Sequence, residues 1–130
     1  MFSSQAYGKN VDPKKAIKST ISQYVMSAQD QNTDKMKQAL HKDFRVTALL
    51  SGKWMNLNRE TYIKMLETRK IGGNKRSFDV LDLANHSKHL AVARVVIKEE
   101  NTMFYDHLTL VYTDNRWQIL NNATETQARK

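Results

Sequence analysis

The chain has 130 residues, no cysteine and a formal net charge of +8. This length suggests one domain able to bury a sizeable core, and the lack of cysteine excludes disulfides, thiolate metal sites and thiol catalysis. The basic excess admits anionic partners, but its densest cluster is only Arg69, Lys70, Lys75 and Arg76, with no aromatic platform among the charges, so nucleic acid is disfavoured as a partner.

The opening MFSSQAYGKN has neither an apolar core segment nor a cleavage-like pattern. It reads as a flexible lead over residues 1–11 and not as a signal peptide. No apolar run is long enough to span a bilayer. A soluble, cytoplasmic protein without membrane contact is the expectation, and a chain stripped of a leader would read the same way. Asp12-Pro13 is a helix start, an N-cap acid followed by proline at the first helical position. Ile17, Ile21, Tyr24, Val25 and Ala28 then recur at helical spacing and form a stripe to be buried. Gln31-Asn32 breaks this helix, and a short second one is expected from about Thr33 to Leu40.

Phe44 to Leu50 reads as a strand that Ser51-Gly52 turns back into Trp54–Leu57. Asn58 caps a third helix, with Glu60 in its first turn, Tyr62, Ile63 and Leu66 on its apolar face, and Gly72-Gly73 as its stop. The remainder is strand: Ser77 to Asn85, Leu90 to Lys98, Thr102 to Thr113, and Arg116 to Asn122. Asp114-Asn115 suits a two-residue hairpin turn with positive φ. Helices first and strands last is an α+β order, expected as one domain over 12–124 with a tail at 125–130.

The strand 102–113 carries the most informative pattern. One face reads Phe104, Asp106, Leu108, Leu110. An ionised carboxylate on an apolar face has to be paired, hydrogen-bonded or protonated, so Asp106 belongs either to a pocket or to a structural polar network. Arg94 on the neighbouring strand is one candidate counter-ion, although Ala91, Ala93, Val95 and Ile97 look like that strand's inward set, which puts Arg94 outside. The opposite face, Tyr105, His107, Thr109, Val111 and Thr113, with Leu120 and Asn122 next door, is too apolar and β-branched for ordinary solvated surface and suggests a homodimer about a two-fold axis.

Helix, short helix, hairpin, helix, long antiparallel meander: this order resembles the nuclear transport factor 2-like superfamily. The likeness is carried by Tyr24-Val25, Leu40-His41-Lys42-Asp43-Phe44, Asn58-Arg59-Glu60-Thr61-Tyr62, the alternation from Phe104 to Leu110, and Trp117-x-Ile119. Within it, the chain looks most like the lumazine-binding or SnoaL-like branch. The resemblance implies a cystatin-like α+β cone, with N-terminal helices packed on a strongly curved, mixed but mainly antiparallel sheet. It implies no activity, since this fold carries isomerases, cyclases, dehydratases, binding proteins and transport factors.

An isomerase of the ketosteroid type needs a carboxylate base, a tyrosine and a protonated acid. By the resemblance, Tyr24 falls at the oxyanion tyrosine, and Asp106 or His107 near the second donor. The base position falls at Ala48, which accepts no proton, and Thr47 does not replace it. No catalytic residue is therefore assigned.

The expected pocket lining is Tyr24, Phe44, Leu50, Trp54 and Tyr62, with Leu66, Phe104, Asp106 and Trp117, mostly apolar with a few polar tips. His41 ends the second helix, where a cation suits the dipole; the resemblance puts it near the mouth, as a secondary ligand contact. His86 and His89 sit in a loop with no converging third ligand, so no metal is expected, and no cofactor is implied. The leading function is a small-molecule-binding domain with an aromatic or anionic ligand. The alternatives are a SnoaL-like isomerase, cyclase or dehydratase, and a protein-interaction module of the transport-factor type.

Overall fold

The computed structural model describes residues 12–129 and, for His86, the backbone alone. The lead expected over 1–11 lies outside the described residues.

Helix α1 (Pro13–Asp30) begins where Asp12 accepts a hydrogen bond from the Lys14 amide at 3.1 Å, with proline at the first position. It ends in a Schellman motif. Gln31 turns left-handed at φ 52°, and the amides of Gln31 and Asn32 reach back to the carbonyls of Ala28 and Ser27. Asn32 then caps α2 (Thr33–Ala39). Asn58 caps α3 (Arg59–Glu67), accepting from the Thr61 amide at 2.9 Å.

The end of α3 corrects the sequence reading. The helix stops at Glu67, well before Gly72-Gly73. Arg69 takes the left-handed conformation (φ 62°), and the amides of Arg69 and Lys70 bond to Leu66 and Met65. The glycines do something else. At Gly72 (φ 80°) an added Cβ would lie 2.3 Å from the Ala28 carbonyl oxygen, and the Gly73 amide donates to that same oxygen at 3.0 Å. They let the loop press against the end of α1.

Six strands form one open mixed sheet: β1 (Leu40–Leu50), β2 (Lys53–Asn58), β3 (Ser77–Ser87), β4 (Leu90–Lys98), β5 (Thr102–Thr113) and β6 (Arg116–Ala128). Their order is β2-β1-β6-β5-β4-β3. Every pairing is antiparallel except β1 with β6. Asp114 and Asn115 both have positive φ (55° and 64°) and close the β5–β6 hairpin. Register shifts within the β1–β6, β3–β4 and β5–β6 ladders mark bulges, which bend a strand and raise its twist.

The three helices cover one face of this sheet, as the resemblance implied. Ile17, Ile21, Tyr24, Val25 and Ala28 of α1 meet Phe44, Ala93, Val95, Leu108, Leu110 and Ile119 of the sheet in one buried core. Several strand boundaries differ from expectation: β2 is one residue longer at each end, and β3 runs on to Ser87, which puts His86 on a strand and not in the expected loop. β1 begins at Leu40, four residues early, because Leu40 already pairs with Ile119. β6 runs to Ala128, through most of the expected tail, because β5 is long enough to pair with it from Arg116 to Ala128.

Candidate functional site

β5 divides its inner face between packing and space. Leu108 and Leu110 are fully packed into the core. Phe104 and Asp106 instead face a hollow of about 310 Å³. This is the lower end of the roughly 300–1,000 Å³ typical of small-molecule sites. Tyr24 and Ala28 of α1 and Tyr62 and Met65 of α3 close one side. Val46, Ala48 and Leu50 of β1, with Leu57 of β2, close another, and Lys70 and Arg76 stand at the loop side.

The polar wall of the hollow is built across β5 and β6. Register pairs Asp106 with Thr124 and Leu108 with Asn122, so the period of two brings Asn122 and Thr124 to the same face as Asp106. Asp106 is 4 % exposed. The Thr124 hydroxyl donates to its Oδ1 at 2.6 Å, and Asn122 Nδ2 donates to its Oδ2 at 3.0 Å. The second hydrogen of Asn122 Nδ2 goes to the Tyr24 hydroxyl, also at 3.0 Å. Asn122 Oδ1 is buried and accepts from nothing. Turning the amide over would set that oxygen against the Asp106 oxygen, which the ionised carboxylate disfavours.

Burial raises the Asp106 pKa above the ordinary carboxylate value; the bonds from Thr124 and Asn122, then the charges of Arg76 and His107, pull it back down. Burial also raises the Tyr24 phenol well above its usual value, helped by neighbouring Tyr62 and Asp106, and Tyr62 is raised by burial as well. Both phenols therefore stay protonated through the neutral range.

The rim opposite carries a different carboxylate. Glu99, just past β4, accepts from Arg76 through Nε at 3.1 Å and through a second guanidinium nitrogen, and from Asn74 Nδ2 at 3.3 Å. Each side chain of this ion pair is 10 % exposed. The Arg76 guanidinium also stacks over Phe104, 5.2 Å from the ring centre.

The hollow gathers Tyr24, Leu50, Tyr62, Phe104 and Asp106 from the expected lining. The other expected residues lie elsewhere. Phe44 sits behind the wall, its ring 6.1 Å from Tyr24 and 5.5 Å from Tyr62, and Leu66 is core. Trp54 is 65 % exposed, because its partner Leu49 belongs to the sheet's outer face. Trp117 packs on Tyr112 at the far end and borders a separate surface depression with Pro13 and Arg116. His41 lies on β1, not at a helix end; its Nδ1 accepts from the Asp43 amide at 3.0 Å, and it does not line the hollow.

Arg94 points outward and pairs with Asp82, not with Asp106. His89 packs against Tyr112, and among the described residues no three His, Asp or Glu side chains converge as for a metal. On the outer face Tyr105, Thr109 and Val111 are half-buried and His107 is exposed. Leu90 and Val92, in register with Val111 and Thr109, are 48 % and 47 % exposed. No helix among the described residues is long and apolar enough to cross a membrane.

The sequence reading put Asn122 with the outer face, whereas it is buried on the inner face beside Asp106; it missed Thr124 as a site residue, and the Arg76–Glu99 pair altogether. The signal for Asn122 and Thr124 was present: Asn122-x-Thr124-x-Thr126 continues the alternation of a strand beyond its expected end. Glu99 and Arg76 lie in segments whose meeting no local pattern encodes.

The sequence matches the family described as "Putative lumazine-binding" over residues 12–123. No curated protein matches it. Among solved structures it is similar to an NTF-2 like protein of unknown function from Silicibacter pomeroyi DSS-3, at 16% identity and TM-score 0.74, covering 99% of this chain and 100% of that one. It is similar also to a ketosteroid isomerase-like protein from Erwinia carotovora atroseptica SCRI1043, at 9% identity and TM-score 0.72, over 88% and 96% of the two chains. A domain of unknown function with a cystatin-like fold from Nostoc punctiforme PCC 73102 is similar at 14% identity and TM-score 0.69, over 86% and 75%. At these identities the likeness is one of fold.

Proposed function

The chain belongs to the "Putative lumazine-binding" family, and from that membership we propose that it is a small-molecule-binding domain whose ligand occupies the hollow beside Asp106. The observation that carries this reading is a void of about 310 Å³ bordered by a buried carboxylate, Asp106, that only neutral side chains partner, backed by a buried amide oxygen of Asn122 with no partner. A purely structural network satisfies its own acceptors; this one has acceptors to spare. Apart from Lys70, Asn74, Arg76, Glu99 and Thr126, the remaining lining is aromatic and aliphatic and suits a flat aromatic ligand.

Calorimetric titration of the native protein with a panel of pteridines and aromatic acids tests this. Saturable binding of one molecule per chain is expected, lost when Ala48→Leu fills the hollow. A panel that yields no ligand, or binding indifferent to Ala48→Leu, overturns it. A second reading, a SnoaL-like enzyme, draws support from the raised Asp106 carboxyl, since perturbed carboxyls mark acid–base sites. It is weakened by Ala48 at the base position that the resemblance assigns. Recovery of the bound compound unchanged after long incubation would count against it.

The chain is also proposed to pair with a second copy through Tyr105, His107, Thr109 and Val111. Exposed Leu90 and Val92 beside them give that face the apolar character of an interface. Analytical ultracentrifugation should find a dimer that Val92→Lys converts to monomer; a monomeric native protein at high concentration would sink the idea.

A further inference from the structure

With Asp106 ionised, every side-chain hydrogen on the Asp106–Asn122–Thr124 unit is already committed. Thr124 gives its hydroxyl hydrogen to Asp106, and Asn122 gives one amide hydrogen to Asp106 and the other to Tyr24. What remains free towards the hollow is acceptor only: the unused lone pairs of a carboxylate that is 4 % exposed, with the unpartnered Asn122 Oδ1 buried behind it. All three residues border the hollow. None of the ion pairs among the described residues involves Asp106; Arg76, which also borders the hollow, is bonded to Glu99.

We propose that the hollow selects a flat heterocycle presenting two adjacent hydrogen-bond donors on one edge, a ring N–H beside an exocyclic amino group, to the two carboxylate oxygens of Asp106. This rests on the ligand-binding reading above and narrows it. An amino-oxo ring of the pterin kind meets the acceptors with donors. A dioxo ring of the lumazine kind puts a carbonyl oxygen where the amino group stood. Acceptor then faces acceptor in a buried setting, which is a repulsive element against the wrong ligand. The rest of the ring system lies against Tyr62, Phe104, Ile97 and Leu57, which offer apolar surface and ask for no charge.

The test is a calorimetric comparison of pterin and lumazine on the native full chain, with Asp106→Asn and Ala48→Leu as variants checked for folding by thermal unfolding. Pterin is expected to bind at least about tenfold more tightly than lumazine, a modest polar mismatch. Asp106→Asn is expected to abolish that preference by replacing one acceptor oxygen with a donor. Equal affinities, or tighter binding of lumazine, with both lost in Ala48→Leu, would overturn the donor-edge inference while leaving the hollow a binding site. Absence of binding by either compound would overturn this inference and, if the wider panel is also silent, the binding reading with it. The comparison on the native chain decides the matter even if Asp106→Asn does not fold.

Discussion

Two buried carboxylates face the same hollow and are treated in opposite ways. Glu99 has a full cationic partner in Arg76 and a further donor in Asn74. Asp106, at least as deeply buried, has only neutral donors and shares its wall with an orphan acceptor. Burying a charge costs several kcal/mol unless it is paired and bonded. The rim has met that cost with charge. The wall has met it only in part, leaving acceptors that a bound donor would complete. The difference separates a structural tie from a binding surface better than burial does, since both are buried.

That contrast can be broken at either end. The largest effect is expected at the rim. Arg76→Met leaves Glu99 buried without its cation and removes the stacking on Phe104; a loss of about 3–5 kcal/mol is expected for breaking such a pair. Urea unfolding at neutral pH measures it, and a loss below 1 kcal/mol (on the order of a surface pair) would mean that the rim is not a tie.

The smaller effect belongs to the wall and appears as a pH dependence. The folded-state pKa of Asp106 is raised by burial above its unfolded value, so the folded protein holds this proton more tightly. Its contribution to stability is fully present below the ordinary carboxylate pKa and is lost as pH rises through the raised one. Asp106→Asn removes that loss. Comparing unfolding midpoints from acid to neutral pH, the variant should gain on the native protein as pH rises, then run parallel to it. A difference that does not change with pH, or that shrinks, would place Asp106 with Glu99 as a satisfied structural carboxylate.

Much of the frame was legible because it is written in local chemistry. Asp12-Pro13, Asn32 and Asn58 are caps that act within three residues, and each starts its helix. The stripe from Ile17 to Ala28 and the alternation from Phe104 to Leu110 set which faces are buried. The errors also have local causes. Gly72-Gly73 looked like a helix stop because glycine favours left-handed φ, but Arg69 took that conformation first. The glycines serve a long-range contact with Ala28 that no neighbouring residue announces.

The sequence by itself determined an α+β chain, its helix starts, its inward faces, and a lone acid on one of them, because propensity, capping and periodicity act over a few residues. Only the tertiary structure decided that Asn122 and Thr124 come to that acid, that Arg94 turns to Asp82, that Arg76 meets Glu99, and that Trp54 and Trp117 stand apart from the hollow. Those outcomes depend on strand order and register, which join residues far apart in the chain, and a shift of one residue in register would turn those of the side chains that lie on strands to the other face.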